Sequence, residues 1–386
     1  NYDISFVADN FAITPRPITL SANDRSKVYG DTLVLGTSGF ALTTGTFVNS
    51  ESVSGVTLAS TNGYDASTSQ AAGSYAANIT ASSAIGANGF VASNYDITYA
   101  PGALAITARQ ITLSANDRSK VYGDTLVLGT SGFALTTGTF VNSESVSGVT
   151  LASTNGYDAS TSQAAGSYAA NITASSAIGA NGFVASNYDI TYAPGALAIT
   201  ARPITLTAAA AQSKVYGNSD PTYSYAVEAS GASRGIVVGD SFTGALARTA
   251  GENVSSSYAL NQGSLVNSNY DISFVADNFA ITPRPITLTA AAAQSKVYGN
   301  SDPTYSYAVE ASGASRGIVV GDSFTGALAR TAGENVSSSY ALNQGSLVNS
   351  NYDISFVADN FAITPRPITL SANDRSKVYG DTLVLG

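Results

Sequence analysis

The sequence contains no His, Cys, Met or Trp, and only 11% of its 386 residues are Asp, Glu, Lys or Arg. Without His and Cys the chain cannot form a Ser-His-Asp or Cys-His catalytic set, a zinc site of the usual Cys/His kind, or an iron–sulfur cluster held by thiolates. The net charge of −9 repels phosphate backbones. No apolar run approaches the roughly 20 residues of a membrane-spanning helix. These absences predict no nucleic-acid partner and no membrane span in this segment.

The chain is instead built from internal repeats. The tripeptide Ile-Thr-Leu recurs at spacings of 93, 93, 82 and 82 residues, so that two unit types follow in the order A, A, B, B before A begins again. We assign residues 1–17 to the end of a B repeat, 18–110 and 111–203 to two A repeats, 204–285 and 286–367 to two B repeats, and 368–386 to the start of a further A repeat.

The first 36 residues recur unchanged at 351–386. We therefore expect the chain to be an internal segment of a longer array. Every unit carries a Lys-Val-Tyr-Gly motif near its start and an Asn-Tyr-Asp motif near its end. We interpret the first motif as a structural one, and its residues in the complete units are Lys27, Tyr29, Gly30, Asp31, Lys120, Tyr122, Gly123, Lys214, Tyr216, Gly217, Lys296, Tyr298 and Gly299.

Short segments join one unit to the next. Three residues, often with Pro at a fixed φ and without an N–H for a sheet ladder, predict a stiff joint between self-contained units. The candidate joint residues are Pro15, Arg16, Pro17, Arg109, Arg202, Pro203, Pro283, Arg284 and Pro285.

Within the units the hydrophobic pattern has a period of two. Tyr223, Tyr225 and Val227 alternate with small or polar residues, as strands with one buried face do. Gly-rich turns at regular spacing predict six to eight short strands per unit. We therefore expect an all-β fold, a tandem array of small β-sandwich or β-grasp-like domains that forms an elongated rod. The run from Ala208 to Ala211 is too short for a stable helix and is interpreted as the end of a strand.

These motifs carry a family resemblance. Lys27 to Asp31 together with Asn94 to Asp96 resembles the YDG repeat of filamentous-haemagglutinin-like bacterial surface proteins. The B units resemble MBG repeats of the YGX type, on Tyr216 to Pro221, Gly239 to Gly244 and Asn269 to Ile272. The resemblance implies long, exported surface proteins whose repeats act as stalks or fibres, and it implies no catalytic residues.

Three kinds of chemistry remain open to the residues. Each motif Lys is either linked to an Asn by an isopeptide bond, promoted by a nearby carboxylate, or is a partly exposed side chain beside a turn. Glycoside hydrolysis by paired carboxylates conflicts with a site repeated along the chain, so no enzyme is predicted. No cofactor is expected unless calcium binds clustered oxygens, for which the candidates are Asp31, Asp96, Asp220 and Asp240.

The leading functional hypothesis is a structural stalk or filament of a secreted bacterial adhesin, outside the cell or on its surface, that projects or links cells as in a biofilm. One alternative is a multivalent module that binds glycans, matrix or a receptor through its repeats. The other is a protein that self-assembles into an extracellular fibre or sheath. Neighbouring repeats of the same chain are the partners expected under all three.

Overall fold

Each of the four complete repeats forms seven β-strands in a computed structural model that describes residues 1–384 and 386. Seven lies within the six to eight strands predicted, and the all-β fold is confirmed. The chain divides into two compact units, Asn1–Arg202 with both A repeats and Pro203–Gly386 with both B repeats, each described here by itself.

The two A repeats have the same strands and two short 3-10 helices each. The first contains β1 (Arg16–Ala22), β2 (Arg25–Val28), β3 (Phe40–Thr44), β4 (Ser52–Ser60), β5 (Gly73–Ala87), β6 (Tyr95–Ala100) and β7 (Gly102–Thr107), with 3-10 helices at Thr61–Gly63 and Ala92–Asn94. The second contains β8 (Arg109–Ala115), β9 (Arg118–Val121), β10 (Phe133–Thr137), β11 (Ser145–Ser153), β12 (Gly166–Ala180), β13 (Tyr188–Ala193) and β14 (Gly195–Thr200), with 3-10 helices at Thr154–Gly156 and Ala185–Asn187.

The B repeats keep the strand order with shorter strands. The first contains β15 (Arg202–Ala208), β16 (Ser213–Val215), β17 (Tyr225–Val227), β18 (Ala247–Arg248), β19 (Ser255–Asn261), β20 (Tyr270–Val275) and β21 (Asn278–Thr282). The second contains β22 (Arg284–Ala290), β23 (Ser295–Val297), β24 (Tyr307–Val309), β25 (Ala329–Arg330), β26 (Ser337–Asn343), β27 (Tyr352–Val357) and β28 (Asn360–Thr364).

Every repeat is made of two mixed sheets. In the first A repeat the sheets have the orders β3-β1-β6 and β2-β7-β5-β4, in which β1 with β6 and β2 with β7 pair in parallel and the other pairs are antiparallel. The B repeats follow the same plan, with orders β17-β15-β20 and β16-β21-β19-β18 in the first of them. The first and last strands of a repeat are therefore each held by a parallel neighbour.

The predicted period of two places the core side chains. In β1, Ile18, Leu20 and Ala22 are buried, while Thr19 and Ser21 between them are partly exposed. Burying a Leu or Ile side chain stabilises the fold by about 1.5–3 kcal/mol. One detail differs from expectation, because the predicted strand around Tyr223 covers only Tyr225–Val227. The run that begins at Ala208 is predicted to be a strand end, and β15 does end at Ala208, before a turn.

Strand formation depends on partners distant in sequence. Residues 1–14 are identical to 351–364, yet they contain no strand, whereas 351–364 contain β27 and β28. In the second B repeat these strands pair with β22, β23 and β26. No strand among the described residues pairs with the first copy. Local propensity therefore does not make these strands, and the ladder hydrogen bonds with the rest of a repeat do.

Candidate functional site

The connection between adjacent repeats is one residue long. In the first unit β7 ends at Thr107 and β8 begins at Arg109, so only Ala108 lies between them. Arg109 and Gln110 are already in register with Tyr188 and Asp189 of β13. Pro283 plays the same part between β21 and β22. The predicted three-residue joints are thus shorter than expected, because their Arg and following residue belong to the first strand of the next repeat.

Adjacent repeats also do not have separate cores, contrary to the expectation of self-contained repeats. One hydrophobic cluster in the first unit contains Leu104 and Ile106 of the first A repeat together with Ile111 and Val149 of the second. In the second unit Tyr216 of the first B repeat packs on the core of the second. Adjacent repeats therefore share a continuous apolar interior.

The Lys-Val-Tyr-Gly motif forms the turn that reaches into the next repeat. The N–H of Asp31 donates to Val28 O at 3.0 Å, and that of Tyr29 to Thr107 O at 2.9 Å, which ties the turn to the end of β7. Gly30 has a φ of +87°, in the left-handed region that favours glycine. A Cβ on Gly30 would also lie 2.6 Å from Cγ1 of Val141 in the next repeat. Glycine is thus required here both by the turn and by the neighbouring repeat.

Tyr29 is the residue inserted across the joint, and it is only 2% exposed. Its hydroxyl donates to Glu144 Oε1 at 2.5 Å, while the hydroxyl of Tyr188 donates to Glu144 Oε2 at 2.6 Å. The two rings meet edge to face with centroids 5.7 Å apart. Burial, followed by the hydrogen bond to Glu144, raises the pKa of both tyrosines above its ordinary value. One carboxylate therefore binds a tyrosine from each of two repeats.

The Arg at the joint binds the backbone and the aspartate of this turn. Arg109 Nε donates to Tyr29 O at 2.8 Å, and Nη2 pairs with Asp31. Arg202, at the end of the second A repeat, likewise binds Tyr122 O at 3.0 Å and Asp124 Oδ1 at 2.7 Å. The sequence marked these arginines as joint residues but gave no sign of what they bind.

The Asn of the Asn-Tyr-Asp motif bonds in the opposite direction, to the preceding repeat. Asn187 Oδ1 accepts a hydrogen bond from Ala72 N at 2.9 Å, and Asn142 Nδ2 donates to Thr68 O at 3.0 Å. Adjacent residues Asn187 and Tyr188 thus serve the same joint, one through the backbone of the preceding repeat and the other through Glu144.

The B repeats build the joint largely from the same residue types, with Asp322 in the place of the Glu. Tyr216 and Tyr352 meet edge to face at 5.6 Å, and the Tyr352 hydroxyl donates to Asp322 Oδ2 at 2.5 Å. A Cβ on Gly217 would lie 2.5 Å from Val319 Cγ2. Asn351 Oδ1 accepts a hydrogen bond from Val254 N of the preceding repeat at 2.9 Å.

Arg284 completes the B joint. Its Nη1 donates to both Tyr216 O and Asn218 Oδ1 at 3.1 Å, and its Nε to Gly317 O at 2.8 Å. Arg366 of the second B repeat donates to Tyr298 O at 3.4 Å. Tyr298 is 47% exposed, in contrast to the 2% of Tyr29, because no folded repeat covers it in this structure.

The acidic partners of the tyrosines were not predicted. Glu144 and Asp322 each follow a Val by three residues, and a turn hydrogen bond from their N–H to Val141 O or Val319 O fixes that spacing. The turn places the Val against the motif Gly and the carboxylate against the motif Tyr. In every repeat a Val precedes a carboxylate by three residues, and this recurrence is the sequence signal from which the acidic partners could have been found.

The motif lysines are buried. The alternative of a partly exposed lysine beside a turn is therefore wrong. Lys27 Nζ donates to the carbonyls of Asp65 at 3.2 Å and Ser67 at 2.5 Å, and Lys120 makes the equivalent bonds. Burial lowers the pKa of both amines. Lys214 and Lys296 instead pair with carboxylates. The bonds of these four amines go to carbonyls and carboxylates, so their placement gives no support to the alternative of a link to an Asn.

Three of the four calcium candidates are engaged by other side chains. Asp31 pairs with Arg109, Asp220 pairs with Lys214 and Arg248, and Asp240 accepts a hydrogen bond from Tyr270 at 2.5 Å. Asp96 is an exposed residue of β6. Over residues 1–384 and 386 no three acidic side chains come together as metal ligands would. Calcium binding stays a prediction.

A comparison with known protein families identifies the repeats. The model of the MBG domain (YGX type) matches residues 18–105, 111–198, 204–280 and 286–362, which are the four complete repeats. The chain belongs to the MBG domain (YGX type) family. The A repeats, which also resemble the YDG repeat, match the same MBG model as the B repeats.

MBG repeats are non-catalytic domains typical of bacterial surface adhesin-like proteins. No curated protein matches the chain significantly. In the part of the chain that the structure describes, no helix has the length and apolarity needed to cross a membrane. In this MBG array the Tyr and Gly of the motif are among the residues that join one domain to the next.

Proposed function

We propose that this MBG array is a structural segment of a secreted bacterial surface adhesin, a stalk or filament that carries tension outside the cell. The observation that carries the proposal is the joint. A one-residue connection, a shared core and reciprocal hydrogen bonds couple adjacent repeats in both units. A chain of independent binding modules has no need for such coupling, whereas a load-bearing spacer does.

The strand arrangement supports the same role. The chain enters the first A repeat through β1 and leaves it through β7, and each of these strands has a parallel partner, β6 and β2 respectively. Stretching the repeat from its two ends therefore slides parallel strands along each other. The ladder hydrogen bonds are loaded together rather than opened one after another.

Single-molecule force spectroscopy of the whole chain tests the proposal. We expect each repeat to resist extension, with length increments near the extended lengths of about 320 Å for an A repeat and about 280 Å for a B repeat. Because adjacent repeats share a core, we also expect some events in which two repeats unfold together. A chain that extends smoothly, without resistance, would contradict a load-bearing role.

A further inference from the structure

Each B repeat contains a cluster of two buried cations and two carboxylates that reach the surface. Lys214 Nζ lies 2.7 Å from Asp220 Oδ1 and also pairs with Glu252, and the lysine side chain is only 5% exposed. Arg248 holds the same aspartate from the other side, with Nε 2.8 Å from Oδ2 and Nη2 3.0 Å from Oδ1. The amine and the carboxyl carbon of Asp220 are thus held together, with a carboxylate and a guanidinium beside them.

The second B repeat has the same cluster. Lys296 Nζ lies 2.6 Å from Asp302 Oδ1 and 2.5 Å from Glu334 Oε2. Arg330 Nε lies 2.8 Å from Asp302 Oδ2. The arrangement is therefore a constant feature of the B repeats.

Two aromatic rings pack against the arginine of the cluster. The guanidinium of Arg248 lies 5.1 Å from the ring centre of Tyr258 and 5.6 Å from that of Phe279. Burial alone would lower the pKa of Lys214, but its hydrogen bonds to Asp220 and Glu252 leave that pKa above the ordinary value. The Arg248 hydrogen bond holds the pKa of Asp220 well below its usual range. Both groups are charged before any reaction, so a proton must first move within the cluster.

We propose that Lys214 and Asp220, and likewise Lys296 and Asp302, form intramolecular isopeptide bonds. Glu252 accepts a proton from Lys214 Nζ, and the neutral amine attacks the carboxyl carbon of Asp220. Arg248 stabilises the charge that develops on the aspartate oxygens. One C–N bond forms and one C–O bond breaks. Two of the three ammonium protons leave with one aspartate oxygen as water, one of them through Glu252, and nothing is oxidised or reduced.

The bond would close the loop that contains the joint turn. Tyr216, Gly217 and Asn218 all lie between Lys214 and Asp220. Closing this loop would hold the turn in the shape that docks into the next repeat and would reduce the conformations open to it when free. The proposal concerns a covalent modification and stands whether or not the array acts as a stalk.

The A repeats provide a control within the same chain. The residue six positions after Lys27 is Leu33 rather than Asp, and Lys27 Nζ donates to backbone carbonyls. Among the described residues, the motif lysine of an A repeat therefore forms no ion pair with a carboxyl group that it could attack. We expect the bond in the B repeats and not in the A repeats.

The test is the intact mass of the purified, folded full chain. We expect a mass lower than that of the sequence by two water molecules, and peptide mapping that places one link in each B repeat between the motif lysine and the aspartate. A chain that shows a cooperative unfolding transition and the unshifted mass of its sequence overturns the proposal.

Matched variants show which lysines account for the loss of mass. Relative to the mass of its own sequence, the Lys214→Arg variant should lack one water instead of two. The double variant Lys214→Arg, Lys296→Arg should lack none. Lys27→Arg should leave the deficit of two waters unchanged. Glu252→Gln should stop or slow the loss in the first B repeat, with circular dichroism showing that the fold is kept. A deficit that persists after both B-repeat lysines are replaced would also overturn the proposal.

Discussion

Gly30 lies directly against Val141 of the next repeat, so closely that a Cβ at residue 30 would approach Cγ1 of Val141 to 2.6 Å. The glycine also has a φ of +87°, where an L-residue costs about 1–2 kcal/mol. We expect Gly30→Ala to be destabilising on both counts. Chemical denaturation of the full chain, with hydrogen exchange resolving the A repeats, measures the loss.

Gly63 offers the matched control, since its φ is +67° and no atom lies within 4 Å of a Cβ placed there. Gly63→Ala should therefore cost only the backbone strain, and Gly30→Ala should cost about 1–3 kcal/mol more because of overpacking. Adding Val141→Ala to Gly30→Ala should recover part of that difference. Equal losses for the two single variants would show that the contact with Val141 does not matter.

Removing the Tyr29 hydroxyl tests the shared carboxylate. Tyr29→Phe leaves Glu144 with the Tyr188 hydroxyl as its remaining tyrosine donor. A hydrogen bond to a charged group contributes about 1.5–3 kcal/mol, so we expect a loss of that order in the A repeats. Tyr298→Phe changes the same motif position where the ring is 47% exposed, and it should have almost no effect. A similar cost at both positions would argue against the joint as its source.

How far the sequence predicts this structure is shown by the contrast between Tyr29 and Tyr298. Both occupy the same motif, and the periodic strands and the repeat boundaries around them follow from local pattern. Their burial differs because only Tyr29 has a folded repeat in front of it. The contact depends on where Glu144 and Val141 are placed by a neighbouring unit more than 110 positions along the chain, which no local pattern reveals.

The same limit explains why self-contained units were expected. Alternation of apolar residues in β1 shows that Ile18 and Leu20 face a core, but it does not show where that core ends. The Pro at the joints suggested an interruption of the sheet. Pro17 instead lies within β1, in register with Asp96 of β6. Residue types at the joint therefore suggested a longer connection than the single residue between β7 and β8.

Alkaline pH should weaken the joints. Burial, followed by the hydrogen bond to Asp322, raises the pKa of Tyr352 to about 12, whereas an unfolded tyrosine titrates near pH 10. The folded chain therefore keeps a proton that the unfolded chain loses, and the stability that this provides is complete below about pH 10 and is lost as the pH rises to about 12. We expect the free energy of unfolding of the B repeats to fall over that range.

The control for the alkaline effect is Tyr352→Phe, which removes the titrating group. Its free energy of unfolding should be lower at neutral pH and should depend less steeply on pH above about 10. If the variant and the parent chain lose stability in parallel up to pH 12, other groups are responsible.

Gln110 is the one position at which the two A repeats differ, and the second has Pro203 there. Gln110 is in register with Asp189, as Pro17 is with Asp96 and Pro285 is with Asp353, so the backbone at this position already accepts a proline. Gln110→Pro should stabilise the A repeats by about 0.4–1 kcal/mol by restricting the unfolded chain. Gln110→Ala, which leaves the backbone free, should not give this gain. A loss of stability with proline would mean that the Gln110 N–H makes a bond that the other joints do without.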